Sequence, residues 1–170
     1  MDGGGLVMLW TIRGALVAWW VTCALRLSGR GLLPAARWIW TAGCALLLAH
    51  VAAAFHFRHG WSHTAAYADT ARQVAEHPWF AVEAGGGVYV NYAFCLLWVA
   101  DAAWWWAAPR KYAQRSLAIE LAIQAVFVFM IFFAAVVFAD GPVRWLTLLG
   151  FAALAAMAWR SRPRLLRLPR

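Results

Sequence analysis

The chain has 170 residues, of which 65% are hydrophobic and only 13% are charged, with a formal net charge of +8. A soluble domain runs at about 45–50% apolar and about 25% charged, so a water-soluble fold of this size could not bury so much apolar surface. The basic charge sits in short segments between apolar runs instead of spreading along a solvated face, which excludes a nucleic-acid interface and matches a membrane-topology pattern.

The beginning, Met1-Asp2-Gly3-Gly4-Gly5, lacks a basic leader region, so neither a cleaved signal peptide nor a lipidation motif is expected. Five apolar segments follow, at about residues 6–25, 37–57, 88–107, 117–138 and 143–159. A helix needs about 20 residues to cross the hydrocarbon core, and the fifth segment is at the short end. The expected fold is therefore all-α: one polytopic membrane domain over residues 1–170, a bundle of five transmembrane helices.

Basic residues set the orientation. Eleven of the 15 lie in the connections after the first and third segments (Arg26, Arg30, Arg37; Arg110, Lys111, Arg115) and in the tail (Arg160, Arg162, Arg164, Arg167, Arg170). The positive-inside rule then puts the N-terminus outside and the C-terminus in the cytoplasm of a plasma membrane, expected to be a bacterial inner membrane. Thirteen tryptophans agree, because most fall near segment ends, where indole anchors at the interface. Trp10, Trp61, Trp79 and Trp145 mark the outer side, and Trp38, Trp40, Trp104, Trp105, Trp106 and Trp159 the inner. Gly150, Ala152 and Ala156 offer close helix packing in the fifth segment. Cys23, Cys44 and Cys95 each stand alone in an apolar run and read as small buried hydrophobes.

Residues 58–87 form the long outer connection. Ser62 as N-cap and Pro78 as stop predict a weakly amphipathic helix over about 62–77, with Trp61, Ala65, Ala68, Ala71 and Ala75 on one face. His63, Thr70, Gln73 and His77 occupy the other, and Gly60 is the expected hinge. Gly85-Gly86-Gly87 predicts a bend or a close backbone approach, and Asp140-Gly141-Pro142 a turn.

All five histidines fall between His50 and His77, and His56, His59 and His63 are spaced i, i+3, i+7 on one helical face. Neutral imidazole suits zinc, copper or iron, so these three are the candidate metal ligands, with His77, Asp69 and Glu83 as additional ones. An open position on such a site would support hydrolytic or redox chemistry. The plain alternative is that interfacial histidines bond headgroups, water or backbone. Haem is the weaker cofactor, because no histidine occurs in segments one, three, four or five. A membrane di-iron site would need several histidine-rich boxes. Ser62, His63 and Asp69 do not make a triad, since adjacent helical residues face apart.

His50, Arg13, Asp101 and Glu120 lie inside predicted spans, where charge is costly and points to function or to pairing. Arg13 and Asp101 fall at depths that a long side chain can bridge, so they form a candidate buried pair. Ser116, Glu120 and Gln124 stripe one face at i, i+4, i+8. A path from the histidines through His50, Arg13 and Asp101 to Glu120 would suit a small proton, ion or solute transporter. The plain alternative is a structural ion pair and a hydrated glutamate. The expected partners are the bilayer, with anionic lipids at the arginine-rich tail, and either a larger membrane complex or further copies of the chain. In the complex the protein would be a non-catalytic accessory subunit.

Overall fold

The computed structural model describes residues 2–78 and 84–165, with side chains described through Ser161. Glu83 and Trp79 lie outside the described residues. Helices make up the fold, and no strand occurs among the described residues. In chain order they are α1 (Gly3–Leu27), α2 (Pro34–Phe57), α3 (His63–Ala75), α4 (Gly87–Ala107), α5 (Pro109–Ala113), α6 (Leu117–Phe132), a π-helical turn (Phe133–Val137) and α7 (Pro142–Leu165).

Four stretches are long and apolar enough to cross a membrane: Gly3–Leu27, Pro34–Phe57, Leu117–Val137 and Pro142–Ser161. The fourth of these spans 20 residues, longer than the sequence pattern alone suggested. α4 has 21 residues but is diluted by Asn91, Asp101, two tyrosines and four tryptophans.

Local chemistry explains the boundaries. The Asp2 carboxylate accepts from the Gly5 amide at 2.8 Å and opens α1. Pro34 opens α2, and Ser62 caps α3 by accepting from Ala65 N at 3.2 Å. Between α2 and α3 the chain reverses through two left-handed residues, Gly60 (φ 55°) and Trp61 (φ 61°). At Gly85 an added Cβ would meet the Tyr67 ring at 2.4 Å, so the expected close approach is an aromatic ring seated on bare backbone.

α1 and α2 form the tightest pair, and α4 and α6 complete the core. Gly43 makes the first contact possible: a Cβ there would lie 2.8 Å from both the Ala18 methyl and the Trp98 ring. Around it an aromatic cluster fills the interior. Trp40 lies 5.1 Å from Trp98 and 4.9 Å from Phe127, and Phe127 is 4.8 Å from both Trp98 and Phe94.

This corrects the reading of the tryptophans. Trp38, Trp106, Trp10, Trp61, Trp145 and Trp159 are exposed as anchors should be, but Trp40 and Trp105 are buried. They sit one or two residues from the exposed ones but turn to a different face of the same helix, which sequence position near a span end does not reveal.

α3 follows the expected division in part: Ala66 is buried and Ala65, Ala71 and Ala75 are half-buried, whereas Ala68, His63 and Gln73 are exposed. Thr70 is half-buried as well, and its hydroxyl donates to the Ala66 carbonyl one turn back at 2.9 Å.

α7 is the least enclosed span. Gly150 packs on Trp20, where a Cβ would come within 2.9 Å of the ring. Ala152 and Ala156, expected to pack with it, face outward instead.

Candidate functional site

The antiparallel helices gather the histidines and three of the four tyrosines toward one end and most described arginines at the other. At the histidine end, α3 lies against the start of α4. His63 sits between two phenols, with Nδ1 3.0 Å from the Tyr92 hydroxyl and Nε2 3.3 Å from the Tyr89 hydroxyl. A phenol hydroxyl both donates and accepts, so the two tyrosines suit either tautomer of the imidazole.

The other histidines point elsewhere. His56 is exposed and meets Phe57 and Trp61 edge-on, and His59 packs on Phe55 at 5.6 Å. His77 donates through Nε2 to the Val137 carbonyl at 3.0 Å, and His50 through Nδ1 to the Met8 carbonyl at 2.9 Å. Val137 ends the π turn, so His77 satisfies a carbonyl at a helix terminus. Asp69 is taken by Arg72, by Gln73 at 3.0 Å and by Arg58 at 3.9 Å. Among the described residues no three His, Cys, Asp or Glu side chains converge as metal ligands would. The left-handed turn at Gly60 and Trp61 carries His63 onto α4 and away from His56 and His59.

The arginine end holds a more developed constellation. After α4 the chain turns at Pro109, and short α5 folds Tyr112 and Arg115 back under the bundle. The Arg115 guanidinium donates to Asp101 at 2.5 Å and to Glu120. Arg26, at the end of α1, donates to the other Glu120 oxygen and to the Tyr112 hydroxyl at 2.6 Å. Tyr112 in turn donates to Asp101 at 2.9 Å. The five side chains close a ring: Arg26, Glu120, Arg115, Asp101, Tyr112 and back to Arg26. Two guanidinium groups face two carboxylates, so the ring is neutral as a whole.

Burial is graded around it. The Asp101 and Arg115 side chains are 1% and 4% exposed, those of Arg26 and Glu120 17% and 27%. Aromatic faces box the cations: Arg26 lies 5.1 Å from the Trp40 ring and 5.3 Å from the Trp105 ring, and Arg115 4.0 Å from the Tyr112 ring. Trp105 stacks on Tyr112 at 4.6 Å with an interplanar angle of 8°. Burial pushes the Tyr112 hydroxyl above its usual range; Arg26 and Arg115 pull it down by less than burial and Asp101 together push it up. It therefore keeps the proton that it donates to Asp101. The network extends inward through Gln124, which donates to Glu120 at 3.3 Å and accepts from the Trp19 indole at 3.3 Å and from the Cys23 thiol at 3.6 Å.

The chain matches no family model, no curated protein and no solved structure in the comparisons made.

The ring rearranges the predicted polar residues. Asp101 and Glu120 are brought together, bridged by Arg115. Arg13 is not with them: its guanidinium lies 5.5 Å from the Trp10 ring, near the histidine end. The expected Arg13–Asp101 pair is replaced by Arg115–Asp101, because α5 delivers a cation that linear depth along α1 cannot anticipate. Glu120 is doubly paired instead of simply hydrated. Arg26 and Arg115, which served only as topology markers, turn out to be interior groups. The available signal was a tyrosine between two basic clusters, following Asp101 by 11 residues.

Proposed function

We propose that the protein is a five-span integral membrane protein of a bacterial inner membrane, with its N-terminus outside and its C-terminus cytoplasmic. It serves as a non-catalytic subunit of a larger membrane complex. α4 is the fifth span: its 21 residues rise about 31 Å, the thickness of a hydrocarbon core. The positive-inside pattern carries the orientation.

The closed ring is the observation that carries the subunit reading. The two acids and two arginines of the ring are spent on one another, so the ring acts as a lock between α1, α4, α5 and α6 and none of its own members is free for chemistry. Ion transport would have to run through the lock itself. α7 supplies the docking side, presenting Trp145, Leu149 and Trp159 at 66–67% exposure, with Ala152 and Ala156 between them. Small residues there allow a helix of another protein to approach closely. A photoreactive residue at Ala152 should crosslink to one discrete protein in native membranes, while the same probe at Leu96, 70% exposed on α4, should label lipid. Lipid adducts alone from position 152 would refute the reading.

A second reading keeps the histidine end as a metal site, and the socket around His63 favours it. An imidazole with two phenol oxygens in reach is a donor set for iron or copper, with Tyr89 and Tyr92 completing what His56 and His59 do not. About one equivalent of metal in the purified protein, lost in His63→Ala and retained in His56→Ala, is the expected result. Metal-free protein, or loading unchanged by His63→Ala, would rule it out.

A further inference from the structure

Beside the ring, on the outer surface of the arginine end, lies a cleft of about 300 Å³ between the start of α2 and α5. Leu32, Leu33 and Pro109 form its apolar part, and Arg37 and Arg110 supply its charge. A neighbouring hollow extends it past Arg110 to Lys111. Neither Arg37 nor Arg110 joins an ion pair among the described residues. The Arg37 Nε is buried with no hydrogen-bond partner. Its guanidinium carbon lies over the Trp106 ring at 3.9 Å, and Trp106 is fixed by donating to the Thr41 hydroxyl at 2.9 Å.

A preoriented arginine with an unused buried donor calls for an anion. The apolar floor says which kind. Leu32 and Leu33 are 64% and 48% exposed beside the two arginines, surface that a soluble anion cannot cover. Depth agrees: α2 begins and α4 ends here, and exposed Trp38 and Trp106 mark the level where indole meets headgroups.

We propose that this cleft binds an anionic phospholipid. Its phosphate is held by Arg37 and Arg110, with Lys111 nearby, and one acyl chain lies over Leu32 and Leu33. The residues named for it come from α2, α5 and the loop before α2, and it does not depend on the subunit or metal readings.

The test uses the full chain in zwitterionic phosphatidylcholine nanodiscs, with phosphatidylglycerol added in steps. Native mass spectrometry counts bound lipid, and thermal unfolding reads stabilisation. One phosphatidylglycerol per chain should be retained, with about thirtyfold weaker binding in Arg37→Gln/Arg110→Gln, from about a factor of five per basic residue near the surface. Inorganic phosphate at about 10 mM, with ionic strength held at about 0.15 M, should not displace it. Arg167→Gln/Arg170→Gln, in the tail, should leave it unchanged. Since Arg37 also packs on Trp106, Arg110→Glu alone is the second variant, and it should lose retention while unfolding at the wild-type temperature in phosphatidylcholine. Equal retention of phosphatidylcholine, displacement by phosphate, loss in the tail variant, or full retention in Arg110→Glu would each overturn the proposal.

Discussion

Arg115→Met should destabilise the folded protein by about 3–5 kcal/mol, the range for removing one partner of a buried ion pair. Arg115 is the hub of the ring: it bridges Asp101 and Glu120, which otherwise touch different partners. Without it, Asp101 keeps only the Tyr112 hydroxyl among the described residues, while its side chain is 1% exposed. Glu120 suffers less, because Arg26 still reaches it and its side chain is 27% exposed.

The asymmetry gives a second expectation. Asp101→Asn in the Arg115→Met background removes the stranded charge and should recover part of the loss. Glu120→Gln in the same background should recover little. Unfolding in mixed micelles, followed by tryptophan fluorescence, measures all three. A cost below about 1 kcal/mol for Arg115→Met, the level of an exposed pair, would mean that the ring is no lock.

Composition and hydropathy were enough for the all-α class and for four of the spans, because apolar runs of that length have few alternatives. Caps at Ser62 and turns at Gly60 and Gly141 were also legible, since each rests on the chemistry of one residue. Orientation of side chains around a helix was not. Trp38 and Trp40 are two residues apart, yet one is 62% exposed and the other fully buried. Nor could the partner of Asp101 be read. Depth along a span suggested Arg13, but the true partner, Arg115, follows a five-residue helix that no periodicity announces. The histidine spacing was a regularity of α2 that the left-handed turn at Gly60 and Trp61 breaks before His63. A pattern along the chain predicts a site only as far as the helix carrying it continues.

Trp40→Ala should cost a comparable amount, about 3–5 kcal/mol, for a different reason. Trp40 is 0% exposed at the centre of the aromatic cluster and touches Trp98 and Phe127. In a membrane the driving force is not transfer of apolar surface from water, since lipid tails are as apolar as the core. The cost comes from lost dispersion contacts around a hole that α1, α2 and α4 cannot close. Gly43 already sets the α1–α2 distance at its minimum, with the Ala18 methyl and Trp98 ring in contact, so the helices have no room to shift inward there. The same substitution removes one wall of the Arg26 box, at 5.1 Å from the guanidinium, and should loosen Arg26 from Glu120. Trp40→Phe separates the two effects: it keeps an aromatic face toward Arg26 while removing only part of the volume. It should cost less than half as much as Trp40→Ala. Equal losses in the two variants would mean that neither the ring volume nor the aromatic face that Phe retains matters, and the coupling between the aromatic core and the charge ring would be abandoned.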